Sequence, residues 1–576
     1  MKKTGAWLAR FALEQIGVKY TFGIPGVHNT EIYDELNKSE LIKPVLVTHE
    51  GGAAFMADAI SRTSDHIGTL LIVPAAGVTH ASSGIGEAFL DGIPMLVIAG
   101  GIRTDSGKTY QLHEMDQHAL LAPITKKTFK IDSYEQIIPA IYEAYQVATR
   151  GEPGPVFVEI PVNFQLFPGE VSETPLFVAE TIENKIDHEA IKLAAQTLYE
   201  AGSPGMFLGW GAVDATEEAI GIAEFLGAPV ATTLQGLSSF PANHPLHTGM
   251  GIGPAAVPAA ENAFKKCDCM LAVGTRFGEI ATGSYGVNPP QNMIHIDINK
   301  NVFNANYPAS ITIEGDAKVV LAELLKQLQS MHVPKPDNKN LKTAISNDKA
   351  AYLDEWFKHD SKGRVNPARF FTELRKQLND DAIVVADDGN HTFLTAELMP
   401  IHRARGFISP TDFNCMGYCT PAVTAAKLVN PEKQVVGIIG DGAFLMTCME
   451  TLTASSLGLG GVYFVFNDGE LSQISQAQEI PYNRKTCTVL HEVKYKGIAD
   501  ATGCEFITID NDRHCEEGIN EALLLASLNK AVIVDVKIDY SKRTRFTKGI
   551  VKTNLERFTV GNKARFIGRA LLRRVL

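Results

Sequence analysis

The chain has 576 residues, of which 45% are hydrophobic and 20% charged, and its formal net charge is −12. At about 150 residues per domain this length suggests three or four domains of an ordinary globular protein. The negative balance argues against a nucleic-acid binder, because a polyanion would meet a repulsive average field.

No apolar run reaches the roughly 18 residues of a membrane span, and the opening MKKTGAWLARFALEQIG is too amphipathic for a signal peptide, so a cytoplasmic chain is expected. The cysteines (267, 269, 415, 419, 448, 487, 504 and 515) are sparse for the length. Cys267 with Cys269, and Cys415 with Cys419, lack a matching second ligand pair. Buried thiols are expected there, and no disulfide framework.

Strands alternate with helices three times along the chain. In the first block PVLVTHEGGAAFMADAIS gives a strand and a helix, and TLLIVPAAGVTHASSGIGEAFLDGIPMLVIAGG gives strand, glycine turn, helix and strand. Short β-branched runs between helical patterns indicate a parallel sheet covered on both faces. The second block, about 190 to 330, offers GMFLGWG, APVATTL, CMLAVGTRF and MIHIDI as strands. MHVPKPDNKNLKTAISNDKAAYLDEW, polar and proline-marked, reads as a linker with some helix. The third block holds AIVVADDG, QVVGIIGDG, GVYFVFNDG and AVIVDVKID, and residues 69 to 100 and 435 to 467 share one layout. The fold class is therefore α/β, with three doubly wound parallel-sheet domains at 1–170, 185–335 and 360–545, followed by a basic tail, 546–576.

Two carboxylates stand at strand ends in the third block. VVGIIG ends at Gly440 and a helix is expected from near Ala443, which places Asp441 at the carboxyl edge of a parallel sheet, where ligands of open α/β sheets bind. Glycines 440 and 442 let a ligand approach the backbone, and a helix N-terminus favours phosphate. VYFVFN is the next strand, and a right-handed crossover returns Asp468 to the same edge. Two carboxylates facing a phosphate repel it unless a hard divalent cation such as Mg²⁺ lies between them. A helix-capping Asp and a turn Asp account for the same spacing.

Gly440-Asp441-Gly442, followed by Asp468 within NDGEL, resembles the thiamine-diphosphate motif of the acetolactate synthase and 2-oxo acid decarboxylase family. The resemblance runs over about residues 4 to 540. THEGGAAFMADA resembles the family's catalytic-glutamate segment, and GEPGPVFVEIPVNF the close of its pyrimidine-binding domain. LGAPVATTLQGLSSFPANHPLHTGMG, LAVGTRF and HIDIN resemble its middle domain. NCMGYCTPAVTAAKL and DDGNHTFL resemble cofactor-contacting stretches of its diphosphate-binding domain. Several motifs in the family's order are far more specific than one.

The resemblance implies thiamine diphosphate and Mg²⁺ as cofactors and 2-oxo acids as substrates. It gives Glu50 the role of activating the aminopyrimidine ring, and Met416 that of the apolar wedge that bends the cofactor. Read by itself, Glu50 is an acid at a helix start and Met416 a core methionine. The implied metal ligands are Asp441 and Asp468 through side chains and Glu470 through its backbone carbonyl. The implied cofactor contacts are Asn390, His391, Asn414, Met416, Gly440, Asp441, Gly442, Ala443, Asp468, Glu470 and Leu471. Asp468 stands where many members have Asn, and an anionic oxygen still suits the metal. Family geometry brings Glu50 of one subunit to the cofactor of another, so a homodimer or homotetramer with its active site at the dimer interface is implied.

Carbon dioxide loss leaves two outcomes, ligation to a second carbonyl as in acetolactate synthase, or protonation with release of an aldehyde. Three positions depart from the acetolactate synthase pattern. His113 stands where a glutamine is usual, His28 close to a small-residue position, and Ala477 where a tryptophan shapes the acceptor pocket. Histidines move protons near neutral pH, so His28 and His113 join Glu50 as candidate catalytic residues; each also reads as a solvated loop residue. Carboligation is the leading expectation, with a simple decarboxylase and a non-catalytic thiamine-diphosphate-binding protein as alternatives. The presence of Glu50 counts against the last. Arg276 resembles a flavin contact, but GMGIGPAAVPAA lacks the family's histidine-glycine pair and Glu279 falls in an Asp-Arg region. Whether FAD is bound stays open, and these departures weigh against it.

From Lys542 onward the sequence carries eleven Lys and Arg against one acid, Glu556. As a helix its last stretch suits an anionic membrane surface or a partner, or else docks on the protein's own acidic body near the active site.

Overall fold

The computed structural model describes residues 1–179, 186–331 and 333–575. Among these residues it contains three six-stranded sheets and one two-stranded ribbon.

The first sheet is built from strands Tyr20–Gly23, Lys43–Leu46, Gly68–Ile72, Met95–Gly101, Lys127–Lys130 and Pro155–Pro161. Numbered in their own chain order they lie 2-1-3-4-6-5, and every pairing is parallel. The third sheet uses Ile383–Ala386, Phe407–Ile408, Val435–Gly440, Gly461–Phe466, Glu505–Ile509 and Val532–Val536, and repeats that parallel 2-1-3-4-6-5 order. The shared layout of the outer blocks is thus a shared topology. The central sheet runs 3-2-1-4-5-6 through Pro204–Leu208, Val230–Thr232, His247–Met250, Cys269–Val273, Asn292–Asp297 and Ile311–Glu314. Lys2–Thr4 pairs antiparallel with Pro168–Glu170 and fastens the ends of the first domain together.

Strands Met95–Gly101 and Pro155–Pro161 are buried along their whole length because helices cover both faces, which is why they read as unbroken apolar runs. On one face lie Gly5–Gln15 and Tyr134–Thr149; on the other lie Glu50–Thr63 and Ala76–Asp91. Helix Glu50–Thr63 is buried at every residue, and its alanines and glycines allow very close neighbours. A Cβ at Gly84 would come within 2.4 Å of the Ala54 Cβ. This helix also packs on Cys419–Val429 of the third domain, so one continuous core joins the outer domains.

Within that core Arg62 is fully buried among Asp58, Glu87 and Asp91. Its guanidinium donates to Asp58 at 2.6 and 3.2 Å and to Asp91 at 2.8 Å, while the Tyr418 hydroxyl donates to Asp58 at 2.6 Å. Three acids against one cation leave negative charge in a dry place, and the burial pushes the Glu87 carboxyl well above its ordinary value, with Asp91 adding to the effect.

The polar linker carries a 19-residue helix, Lys339–Phe357, whose Tyr352 and Trp356 enter a core shared by the central and third domains. The tail forms two helices, Arg545–Arg557 and Val560–Val575. The first is anchored by Phe546, stacked on Phe393 at 4.4 Å, and by Glu397, which accepts from the Arg545 and Phe546 N–H groups at 3.1 and 2.8 Å. The second packs on helix Ser472–Tyr482: Arg573 donates to the Pro481 carbonyl at 2.9 Å and lies 5.1 Å from the Tyr482 ring centre. No described helix is long and apolar enough to cross a membrane. All eight cysteines are free thiols.

Candidate active site

In a 2-1-3-4-6-5 sheet the strand order reverses between the first and third strands, and a crevice opens beyond their carboxyl ends. In the third domain those strands are Ile383–Ala386 and Val435–Gly440, and a cavity of about 170 Å³ lies there. Its lining includes Asn390, His391, Asn414, Met416, Gly440, Asp441, Gly442, Ala443, Glu470 and Leu471. Asp468 is one hydrogen bond away, its Oδ2 accepting from the hydroxyl of the lining residue Ser472. The structure therefore brings the whole set of expected cofactor contacts to one place.

Local chemistry fixes the floor of this cavity. Burial pushes His391 down to about 3, so its ring is neutral, and Nε2 accepts the Gly440 N–H at 3.3 Å. A Cβ at Gly389 or Gly440 would stand 2.7 or 2.8 Å from that ring, which explains both glycines. His391 thus supports the backbone from below. Asp387, fully buried, accepts from the Gly417 and Cys419 N–H groups at 2.9 and 2.8 Å and so holds the loop that carries Met416. Burial raises its carboxyl to about 7.

The helix after Gly440 begins at Asp441, two residues before the expected Ala443, because Asp441 is itself the first helical residue of Asp441–Thr447. Its Oδ1 accepts the Gly442 N–H at 2.8 Å, and its Oδ2 accepts those of Asp468 and Gly469 at 3.2 and 2.8 Å. These bonds tie the two strand ends together. Asp468 Oδ1 is buried and has no hydrogen-bond partner. Burial holds the Asp468 carboxyl up at about 6, with Asp441 and Glu470 adding to the effect. The Glu470 side chain turns away to Lys485, at 2.6 Å, and to the Ser475 hydroxyl. Around it Leu471 N–H donates to the Thr488 carbonyl and Leu490 N–H to the Gly469 carbonyl, a pairing that passes over the Glu470 carbonyl.

The candidate catalytic residues lie at the carboxyl edge of the first sheet. Glu50 opens its helix, is 7% exposed, and accepts from His80 Nδ1 at 3.0 Å. A carboxylate cannot donate, so Nδ1 carries the hydrogen. The His49 and His80 rings stack at 4.6 Å, and the ligand atoms of His49, Glu50 and His80 lie within 4.8 Å of one another. His28 and His113, from the loops after the first and fourth strands, face each other with ring centres 5.0 Å apart. Burial, and then His113, lower the His28 imidazole below its ordinary value. His28 Nδ1 and His113 Nδ1 are both buried without partners.

None of these residues lines the Asp441 cavity, whose walls come from residues 388 to 540 alone. His49 and His80 border a separate open groove of about 850 Å³ with Leu445, Met446 and Met449. Met416 lines both spaces. Ala477 sits exposed on helix Ser472–Tyr482. Arg276 is engaged at a domain junction, donating to Asp412 at 2.7 Å and to Glu152 at 3.3 Å. At the corresponding crevice of the central sheet the glycine backbones touch: a Cβ at Gly209 would fall 2.1 Å from the Gly274 carbonyl oxygen, and a space of about 40 Å³ remains.

Two participants escape a reading of the sequence. His80 is the fifth residue of helix Ala76–Asp91, which follows the third strand at the same sheet edge as Glu50, so the rule that ligands gather at carboxyl ends is the signal that points to it. Glu450 has no such signal. It is a third-domain residue, 1% exposed, whose Oε1 accepts from the Thr48 N–H, the Thr48 hydroxyl and the His49 N–H at 3.1, 2.7 and 3.0 Å.

Comparison with known proteins gives the family. Residues 2–120 match the thiamine pyrophosphate enzyme N-terminal TPP binding domain, residues 191–324 its central domain and residues 387–536 its C-terminal TPP binding domain. The chain is 30% identical to the probable acetolactate synthase large subunit of Methanocaldococcus jannaschii over 559 residues, covering 92% of this chain and 90% of that one. It is 30% identical to the acetolactate synthase isozyme 3 large subunit of Escherichia coli, covering 94% and 95%. Against the acetolactate synthase large subunit of Corynebacterium glutamicum the identity is 31%, covering 84% and 77%. The chain therefore belongs to the thiamine pyrophosphate enzyme family and is an acetolactate synthase-like, thiamine-pyrophosphate-dependent enzyme acting on 2-oxo acids.

Proposed function

We propose that the enzyme decarboxylates a 2-oxo acid with thiamine diphosphate and Mg²⁺ and joins the remaining fragment to a second carbonyl compound. The observation that carries this reading is the unpartnered Asp468 Oδ1, buried beside Asp441 at the switch point of the third sheet. A buried anionic oxygen without a donor is costly, and a hard cation satisfies it. Asp441 and Asp468 with the Glu470 carbonyl form an all-oxygen ligand set of the kind Mg²⁺ takes, and the Gly440 to Ala443 backbone with Asn390 and Asn414 suits a diphosphate.

When bound, thiamine diphosphate supplies the electron sink that lets a 2-oxo acid lose carbon dioxide. The protein's own part is positional. Glu50, with His80 bonded to it, holds or yields a proton at the carboxylate, and Met416 closes the cavity toward the groove. Glu50 does not line the Asp441 cavity of its own chain, which supports a homodimer or homotetramer in which one subunit's Glu50 serves the other's third domain.

The reading does not extend to FAD: Arg276, which resembles a flavin contact, is engaged with Asp412 and Glu152. The His28–His113 pair favours one second reading, in which a histidine proton releases an aldehyde instead. Incubating the enzyme, thiamine diphosphate and Mg²⁺ with pyruvate, alone and with 2-oxobutyrate or an aldehyde acceptor, separates the two. A hydroxy ketone identified by mass supports ligation, free aldehyde alone supports the second reading, and no carbon dioxide release with cofactor bound sinks both.

A further inference from the structure

Away from this site, a cavity of about 190 Å³ lies between the central domain, the linker helix Lys339–Phe357 and the end of the third-domain helix Asn390–Leu398. Its walls are largely apolar and include Leu237, Met250, Val257, Leu353 and Ile401. Lys349 is the cation among them. Its Nζ donates to the Ala242 carbonyl at 3.3 Å and to His247 Nδ1 at 3.1 Å. Among the described residues no carboxylate lies within 4.0 Å of it; neighbouring Asp348 instead accepts from Asn262 at 3.0 Å.

The tautomer of His247 follows from this contact. An ammonium has no lone pair, so Nδ1 accepts and the ring hydrogen sits on Nε2. That Nε2 is buried and has no partner, on a residue only 6% exposed. Burial lowers Lys349 to about 8, which leaves it charged at neutral pH, and lowers His247 well below its ordinary value. The cavity therefore offers an ammonium with one proton to spare among largely apolar walls, while the His247 N–H stays sealed on the far side of its ring. A carboxylate oxygen accepts the spare ammonium proton, and its charge balances the lysine.

We propose that this cavity is a binding site for a small aliphatic monocarboxylate, held head-first by Lys349 with its chain against Leu237, Val257 and Ile401. Glu397, which lines the same cavity, also receives the Tyr352 hydroxyl and caps the first tail helix, so the site lies where the linker, the third domain and the tail meet.

Isothermal titration of the full-length protein with sodium 3-methylbutanoate, and with 3-methylbutanamide as its uncharged counterpart, tests the proposal. The acid is expected to bind one per chain, and the amide at least tenfold more weakly. Lys349→Met removes the charge at similar volume, and Ala259→Leu fills the cavity without touching the donors; each is expected to weaken the acid at least tenfold. Absence of binding, equal affinity for acid and amide, or unchanged affinity in both variants overturns it. The last result would place the acid elsewhere, as in the 2-oxo acid site. Should Lys349→Met not fold, Ala259→Leu and the amide still decide. The measurement involves no turnover, so it stands apart from the proposed reaction.

Discussion

Glu450 of the third domain accepts the backbone N–H groups of Thr48 and His49, so the turn that presents Glu50 hangs on a carboxylate from another domain. A Cβ at Gly52 would lie 2.4 Å from Glu450 Oε1, which leaves glycine as the residue that fits beneath it. Hydrogen bonds to a buried carboxylate contribute about 1.5–3 kcal/mol each, and losing them frees the turn. Glu450→Ala is expected to cut kcat about 10- to 100-fold while thiamine diphosphate binding, built on the third domain, changes little. Glu50→Gln should abolish turnover with binding intact. Loss of binding in either variant would show that the two halves are not separable.

The metal reading separates three substitutions. Asp468→Asn keeps an oxygen at the buried position and is expected to retain Mg²⁺-dependent cofactor binding within about tenfold. Asp468→Ala removes it and is expected to lose about 100-fold or more, and Asp441→Ala, which also unties Asp468 from Gly442, should lose binding altogether. Titrating thiamine diphosphate at fixed Mg²⁺, with and without a chelator, gives the comparison. Chelator-insensitive binding would remove the metal from the account.

The Arg62 cluster predicts a pH dependence. Burial holds Glu87 well above its ordinary value in the folded protein. A raised acid contributes stability that is fully present below its unfolded value, near pH 4.3, and is lost as pH rises through its folded value. Glu87→Gln keeps the neutral shape without the ionisation. Between those limits the variant should therefore gain on the parent by up to about 1.4 kcal/mol per pH unit. Guanidinium unfolding from about pH 5 to pH 8 tests the sign; a parent that gains relative to the variant as pH rises contradicts it. Arg62→Met, which strands three carboxylates, should cost about 3–5 kcal/mol.

Ala75, between the third strand and helix Ala76–Asp91, has φ 53° and ψ −87°, a conformation that an L-residue with a Cβ adopts at a cost. Its carbonyl accepts the Thr79 N–H at 2.8 Å and its N–H donates to Gln117 at 3.3 Å, which hold it there. Glycine relieves about 1–2 kcal/mol of strain and gives back about 0.5–1 in chain entropy. Ala75→Gly should thus stabilise slightly, seen as a higher urea midpoint at unchanged slope.

The outer sheets were legible in the sequence because their central strands are buried on both faces and bounded by glycine turns, which leaves unbroken runs such as VVGIIG and MLVIAGG. The Asp441–Asp468 edge followed from strand order alone. The Met416 loop, by contrast, is held by Asp387, and the Glu50 turn by Glu450, through contacts between residues about 30 and 400 positions apart. No local spacing encodes such partners. The linker looked mostly open because its helix hides only a few residues, Ile345, Tyr352 and Trp356 among them, under a polar surface.

The proposed division of the site between two chains makes the last prediction. Leu445, Met446, Met449 and Leu452 are 37%, 59%, 48% and 39% exposed on one short stretch beside Met416, and three of them face the groove that His49 and His80 border. Clustered exposed apolar side chains of this kind mark an interface, since a lone monomer gains nothing by wetting them. A charge placed in their midst would have to be desolvated on association, at a cost of several kcal/mol. Met446→Glu should therefore turn the dimer into a monomer by sedimentation velocity and remove most carbon dioxide release, while each monomer still folds and keeps its Asp441 cavity. Raising the protein concentration should restore dimer and activity together. A parent protein that is an active monomer, or a Met446→Glu variant that stays monomeric at full activity, would mean that Glu50 reaches the cavity of its own chain by a rearrangement.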